Sequence, residues 1–344
     1  MFEVEENASD VSDEADIRPR QSRADCVSQV PVAARRVREF LREEYTLAFR
    51  HEHWHVGIVD APIHSFLEPD SRPDVHWFPL PDRGKYLADP FGLPRGDRLE
   101  VLFEEFDLGT RKGVISAASL DAKGGVSGPR VVLDLPFHAS YPFLVERRGT
   151  VFCIPETSQG REVALYRAVE FPHRWTKEAT LIRGVAAVDN TVFEHEGRFW
   201  LMHTDAEDGL FTKLRIWHAP DLLGPWQPHE ANPVKTDIRS SAPAGTPFRF
   251  DGDLYRPAQD CSETYGGSVV LNRIVRLTTK EFREEQVAIV SPFRDGPRRQ
   301  GIHTLSSVGD RTLVDGKRFS FSGRAMGRNF RDAIGGRWNK VLVR

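Results

Sequence analysis

One short pattern recurs along this chain at intervals close to 50 residues, and that period limits the fold more than any other feature. Five segments align: LADPFGLPRGDRLEVLFEEF from Leu87, ASYPFLVERRGTVFCIPET from Ala139, AVDNTVFEHEGRFWLMHTD from Ala187, APAGTPFRFDGDLYRPAQD from Ala242 and GIHTLSSVGDRTLVDGKRF from Gly301. Each has a small or polar start, an apolar run, a Gly-containing turn and a second strand-like run rich in polar ends. With Asp89, Tyr141, Asp189, Gly245 and His303 as register marks, the steps are 52, 48, 56 and 58 residues. Two more strand-like runs follow, such as VALYRAV and WTKEATLI after the second copy. About four strands per ~50 residues, repeated five times, predict an all-β chain folded as a five-bladed β-propeller with four strands per blade. A sandwich gives no reason for this period, and a β-helix repeats at a shorter one. The last copy is short of strands after Phe321, whereas WHVGIVDAPI from Trp54 and VHWFPL from Val75 precede the first blade. The ring is therefore expected to be closed by an N-terminal strand, which leaves only short, protected edges.

The remaining segments set the domain plan. Residues 1–30 are rich in Asp and Glu and cannot bury a core, so a disordered acidic tail is expected there. Over 31–50 the pattern of VAARRVREFLREEY suggests a short amphipathic helix and lead-in, with the propeller over 51–325 and an extension over 326–344. Forty-seven basic against 50 acidic residues give a net charge of −3, which argues against nucleic-acid binding by bulk charge. No apolar run approaches the roughly 20 residues of a membrane span, and the acidic N-terminus does not read as a signal peptide. The three cysteines, Cys26, Cys153 and Cys261, are widely spaced and read as isolated thiols. A cytoplasmic location is expected. No GxGxxG, GxxxxGK[ST] or GxSxG motif is present, so no nucleotide cofactor and no serine-elbow chemistry are expected.

In a propeller the inner strands line one central channel, so residues about 50 apart in sequence meet at one axis. The first strands open with Asp89, Tyr141, Asp189 and His303, and the second strands end with Glu104-Glu105, Glu156, Asp205 and Asp260. These acids, with His203, His303, Tyr141 and Arg256, are expected to gather at one rim. Crowded carboxylates repel and separate in proton affinity, which is the arrangement that chemistry at an anomeric carbon requires. Trp77, Phe91, Tyr141, Phe143 and Tyr265 are candidates to stack on sugar faces. Asp in a strand-start turn also caps local backbone, and that simpler role applies to any single acid of the set. In YRPAQDCSETYGG, Arg256, Gln259, Asp260 and Tyr265 form a dense polar strand end in which Arg256 either pairs with Asp260 or holds substrate. His51, His53 and His55 alternate and share one strand face; without a cysteine or carboxylate at ligand spacing they read as a solvated face rather than a metal site.

At these residues the chain resembles a known family. ADPFG from Ala88, SYPFLVERRGTVFCIPE from Ser140, LYRA from Leu165, VDNTVFEHEGRFWLM from Val188, GPWQPHEANPV from Gly224 and YRPAQDCSETYGG from Tyr255 are similar to the N-terminal propeller domain of glucosamine inositolphosphorylceramide transferases and their bacterial relatives. The similarity covers about residues 53 to 290. The ADP and VDN strands resemble, more distantly, propeller glycosidases of the arabinanase, β-xylosidase and fructosidase type. This resemblance implies a five-bladed propeller, a carbohydrate substrate, a sugar donor and a carbohydrate or small-molecule acceptor. It implies Asp89 as base or nucleophile and Asp189 as the acid that tunes proton affinity and holds the sugar. The general acid of those enzymes has no secure match; Glu156 is the first candidate and Glu105 the second. Glycosyl transfer is the expected reaction and hydrolysis the alternative, with a non-catalytic sugar-binding scaffold as a third possibility. In the transfer reading Arg256 and His303 offset charge on the donor, while Tyr141, His203, Asp205, Gln259, Asp260 and Tyr265 contribute to binding. No metal ligand set is expected.

Overall fold

A computed structural model describes residues 50–321 apart from 69–70, 72 and 294–297. The expected tail, helix and C-terminal extension lie outside the described residues. Among those described there is no α-helix, and no helix is long and apolar enough to cross a membrane.

The strands form five sheets arranged as the blades of a propeller. The chain begins in the last blade with β1 (Arg50–Val59) and β2 (His76–Trp77). Blade I then follows as β3 (Lys85–Arg95), β4 (Arg98–Asp107), β5 (Lys112–Leu120) and β6 (Arg130–Leu133). Blade II is β7 (Ser140–Arg147), β8 (Thr150–Glu156), β9 (Glu162–Glu170) and β10 (Arg174–Arg183). Blade III holds β11 (Ala187–His195), β12 (Arg198–Asp205), β13 (Lys213–Ala219), β14 (Gln227–Pro228) and a fifth short strand, β15 (Lys235–Thr236), which pairs with β13. Blade IV is β16 (Phe248–Phe250), β17 (Asp253–Asp260), β18 (Ser268–Leu277) and β19 (Phe282–Val290). The C-terminal strands β20 (Leu305–Val308) and β21 (Arg311–Phe321) meet β1 and β2 in the order β2-β1-β21-β20. Two N-terminal strands therefore close the ring where one was expected. The β1–β21 ladder runs over ten residue pairs, from Arg50↔Phe321 to Val59↔Thr312, so the closure is a long antiparallel seam between distant parts of the chain.

The apolar core lies between blades as five layers. Leu102 and Ile115 of blade I meet Cys153 and Ala164 of blade II, and Trp200 and Ile216 of blade III meet Leu254 and Ile274 of blade IV. Each such buried leucine or isoleucine contributes roughly 1.5–3 kcal/mol relative to exposure. Alternation along the strands leaves the opposite positions free to carry polar groups inward.

The register marks of the repeat coincide with a backbone feature. Asp89, Tyr141 and Asp189 have φ of 52°, 44° and 57°, and Gly245 has φ of 118°. In β3, β7 and β11 the ladder skips at this point, between Ala88 and Phe91, Ser140 and Phe143, and Val188 and Thr191. A bulge with one left-handed residue re-aims the side chain that follows or carries it. Repeated at equivalent positions, it turns these residues toward a common axis. At Gly245 the fit is tight as well: a Cβ there would lie 1.9 Å from the Leu305 carbonyl oxygen.

Candidate active site

The inner strands begin at one end of the propeller, and the acids gather near that end. Asp89 of blade I is the hub. Its backbone N–H donates to Asp315 Oδ2 at 3.2 Å, and its carboxylate accepts from the Tyr141 N–H at 3.3 Å and the Thr304 hydroxyl at 3.1 Å. His303 Nδ1 lies 3.5 Å from Asp89 Oδ1 and 2.6 Å from Asp315 Oδ2. Asp315 also accepts the backbone N–H groups of His303 and Thr304, at 2.9 and 3.1 Å. Burial disfavours the imidazolium, but Asp315 and Asp89 outweigh it and hold the His303 pKa above its usual value.

Asp189 accepts a 2.8 Å hydrogen bond from Gln259 Nε2, so blades III and IV are tied across the channel. Glu156 accepts from Ser158 Oγ at 2.8 Å and Ser140 Oγ at 3.3 Å. Burial pushes Glu156 up to about 7, with the charge of Asp89 adding to the shift. Glu104 and Asp189 are raised well above the carboxylate range, first by burial and then by their acidic neighbours. Asp89 is raised by burial and by Asp315, against the pull of His303. These groups cannot all ionise together. Asp89 has the cation and the hydrogen-bond donors, whereas Glu156 sits at the edge of holding its proton at neutral pH; their environments divide them into base and acid.

Tyr141 lies among these acids, next to Asp89 and Asp189. It is fully buried, its hydroxyl accepts the Gly245 N–H at 2.6 Å, and it lies 2.8 Å from Thr191 Oγ1. With Phe91 and Phe143 packed beside it, at ring separations of 4.8 and 6.5 Å, it pins blades II, III and IV together rather than facing a ligand. Tyr265 stands beside the well: its ring is 5.2 Å from His303 and 5.8 Å from Trp54, and Asp189 and Asp89 are among the charges that raise its pKa after burial. Trp54 stacks on His303 at 3.7 Å.

Other residues singled out in the sequence lie elsewhere. Glu105 faces away from the axis, bonded to Lys85 Nζ at 2.5 Å and Ser116 Oγ at 2.7 Å; its neighbour Glu104 is the one that points to the acids. Asp205 and Asp260 are likewise one position past the inward-facing Thr204 and Gln259, and they cap turns, accepting the N–H of Glu207 and of Ser262 at 2.9 Å each. His203 is fully buried between the Thr204 carbonyl and Trp217 Nε1, and burial holds it down to about 4. Arg256 pairs with Glu284, not Asp260, at 2.6 and 2.7 Å. Trp77 packs against His55, at 6.2 Å. The histidines His53 and His55 do not form a solvated face: His55 is 2 % exposed and His53 half-buried. Cys153 and Cys261 are free and buried.

Asp315 escaped the sequence reading although the fifth copy carries it at the position matching Glu104 and Glu156. The signal was there, in the second strand of the repeat, but the shorter turn after His303 hides the alignment. Asp89, His303 and Asp315 bring ligand-type atoms within 4.8 Å of one another. Their oxygens already accept hydrogen bonds, Asp89 from Tyr141 and Thr304 and Asp315 from the backbone of His303 and Thr304, and His303 Nδ1 faces Asp315, which suits a buried ion pair better than a cation cage.

Residues 80–300 match the family described as glucosamine inositolphosphorylceramide transferase 1, N-terminal. The Arabidopsis thaliana glucosamine inositolphosphorylceramide transferase 1 is 36% identical over 230 residues, 65% of this chain and 29% of that protein. Its counterpart in Oryza sativa subsp. japonica is 37% identical over 208 residues, 59% of this chain and 28% of that protein. The chain thus spans under a third of the length of the curated relatives it matches. Among solved structures, Zg3597, a family 117 glycoside hydrolase of the marine bacterium Zobellia galactanivorans, superposes with a TM-score of 0.50 at 12% identity, covering 79% of this chain and 91% of that one; the likeness is one of fold. By its sequence over the propeller, the chain belongs to the family of N-terminal domains of glucosamine inositolphosphorylceramide transferase 1.

Proposed function

We propose that the protein is a carbohydrate-active enzyme whose axial carboxylates act at an anomeric carbon, transferring a sugar from an activated donor to an acceptor hydroxyl. The observation that carries this reading is the pairing of unlike carboxyls in one well: Asp89 beside His303 and Thr304, and Glu156 raised to about 7. In the transfer step the acceptor oxygen bonds to the anomeric carbon as Asp89 takes its proton. The bond from that carbon to the leaving group breaks, and Glu156 gives its proton to the departing oxygen. Asp189, fixed by Gln259, orients the sugar, and Tyr265 offers a ring face at the mouth. Transfer is favoured over hydrolysis because the curated relatives are named transferases.

The test is a mass-spectrometric assay of the purified protein with sugar nucleotides, sugar phosphates and free oligosaccharides, glucosamine donors included. Sugar transfer that falls by about 10²–10⁴ in Asp89→Asn and in Glu156→Gln, the range general acid–base groups supply, supports the reading. Slow release of free sugar from oligosaccharides alone moves it to hydrolysis, and no turnover of any kind removes the enzyme reading.

A further inference from the structure

The closing blade, built from β1, β2, β20 and β21, carries a second cluster of opposite character. His53 and His55 lie on one face of β1, and their cross-strand partners on β21 are Arg318 and Gly316. Arg298 lies over Gly316: a Cβ on that glycine would meet Trp77 at 2.7 Å and the Cβ of Arg298 at 2.9 Å. Arg298 is 2% exposed, yet its Nε and Nη1 have no hydrogen-bond partner. Nδ1 of His53 and Nδ1 of His55 are also without one, while His55 Nε2 meets the Phe78 carbonyl at 2.6 Å.

A buried guanidinium with bare N–H groups is strongly disfavoured unless something accepts from it. Among the described residues no carboxylate offsets Arg298: burial, and then Arg318, push its pKa down to about 10. Burial holds His55 down to about 4, with Arg298, His53 and Arg318 adding to the effect. Neutral His55 spends its one N–H on the Phe78 carbonyl, so the donors here are the guanidinium groups of Arg298 and Arg318, with positive charge in excess and no carboxylate among the described residues to offset Arg298. β1 begins and β21 ends at the propeller end where the inner strands start, so this cluster and the axial acids share one rim.

We propose that this is an anion site for a phosphate group, with Arg298 as its buried donor, Arg318 at its mouth and His53 and His55 along its wall. Phosphate suits it because several donors and more than one positive charge can each meet a separate oxygen. The same chemistry could be presented by a nucleoside diphosphate or by the phosphate of an inositol headgroup. The site does not depend on the carbohydrate reading of the axial well.

Calorimetric titration of the full chain with inorganic phosphate, at constant ionic strength in chloride, tests it. Saturable binding at one site is expected, at least tenfold weaker in Arg298→Gln and in Arg318→Ala and unchanged in Arg174→Ala, a charge control on blade II. Arg318 is exposed, so its variant keeps the test decisive where Arg298→Gln does not fold. Competition by uridine diphosphate at lower concentration than inositol 1-phosphate assigns the phosphate to a donor, and the reverse order to a headgroup. No saturable heat, or equal affinity in all three variants, overturns the proposal.

Discussion

Asp315 Oδ2 lies 2.6 Å from His303 Nδ1, and both side chains are almost wholly buried at the seam where the ends of the propeller meet. The contact joins the closing blade to the axial well, since the same imidazole lies beside Asp89. Asp315→Asn leaves the His303 charge without its nearest partner, and removing one member of a buried pair costs about 3–5 kcal/mol. Urea unfolding of the variant at pH 6 should show a loss of that order.

The same pair sets a pH dependence. The folded pKa of His303 is raised above 6.5, so its stabilisation is fully present below about 6.5 and fades as pH rises through the folded value. The stability gap between the wild type and His303→Gln should therefore narrow between pH 6 and pH 9. A gap that stays constant or widens contradicts the ion pair.

Glu156 has the same sign. Its pKa rises from 4.5 to about 7 on folding, so the native state binds the extra proton and stability falls as pH rises through that window. At about 1.4 kcal/mol per unit, the loss is about 3 kcal/mol. Glu156→Gln removes it, so melting temperatures of variant and wild type should diverge in the variant's favour from pH 5 to pH 8. Parallel curves would show that Glu156 ionises normally.

Much of this was legible in the sequence because a propeller repeats its register as well as its strands. The marks Asp89, Tyr141, Asp189 and Gly245 proved to be the residues with positive φ, so the repeat recorded a backbone bulge before any side-chain role. What could not be read was side. Glu104 and Glu105, Thr204 and Asp205, and Gln259 and Asp260 differ by one position, and in a strand one position reverses the face. The choice between them depends on where the bulge falls in each ladder. Arg256 was legible as a buried cation in need of a partner, but Glu284 lies 28 residues on, two strands away, beyond the reach of local spacing.

Tyr141→Phe isolates the pin across the channel. The buried Gly245 N–H loses its acceptor, which costs about 1–3 kcal/mol. Denaturant titration should show a loss in that range, while Tyr265→Phe, beside the well's mouth, should leave stability nearly unchanged.

Arg256 separates structure from recognition. Arg256→Met leaves Glu284 buried but still 2.7 Å from Lys235 Nζ, so the cost should fall near or below the lower end of the roughly 3–5 kcal/mol range for a broken buried pair. Turnover per folded molecule should be unchanged, as assayed on protein shown by circular dichroism to be native. A selective loss of turnover would return Arg256 to the substrate.

The central claim is that a sugar occupies the axial well, and a crystal soaked with the sugar nucleotide that stabilises the protein most tests it directly. The account predicts a sugar ring within hydrogen-bond distance of Asp89 and Asp189, with its anomeric carbon facing Glu156 and Tyr265 against its edge. A ring bound elsewhere on the propeller, with the Asp89–Asp189 well free of ligand, would contradict it.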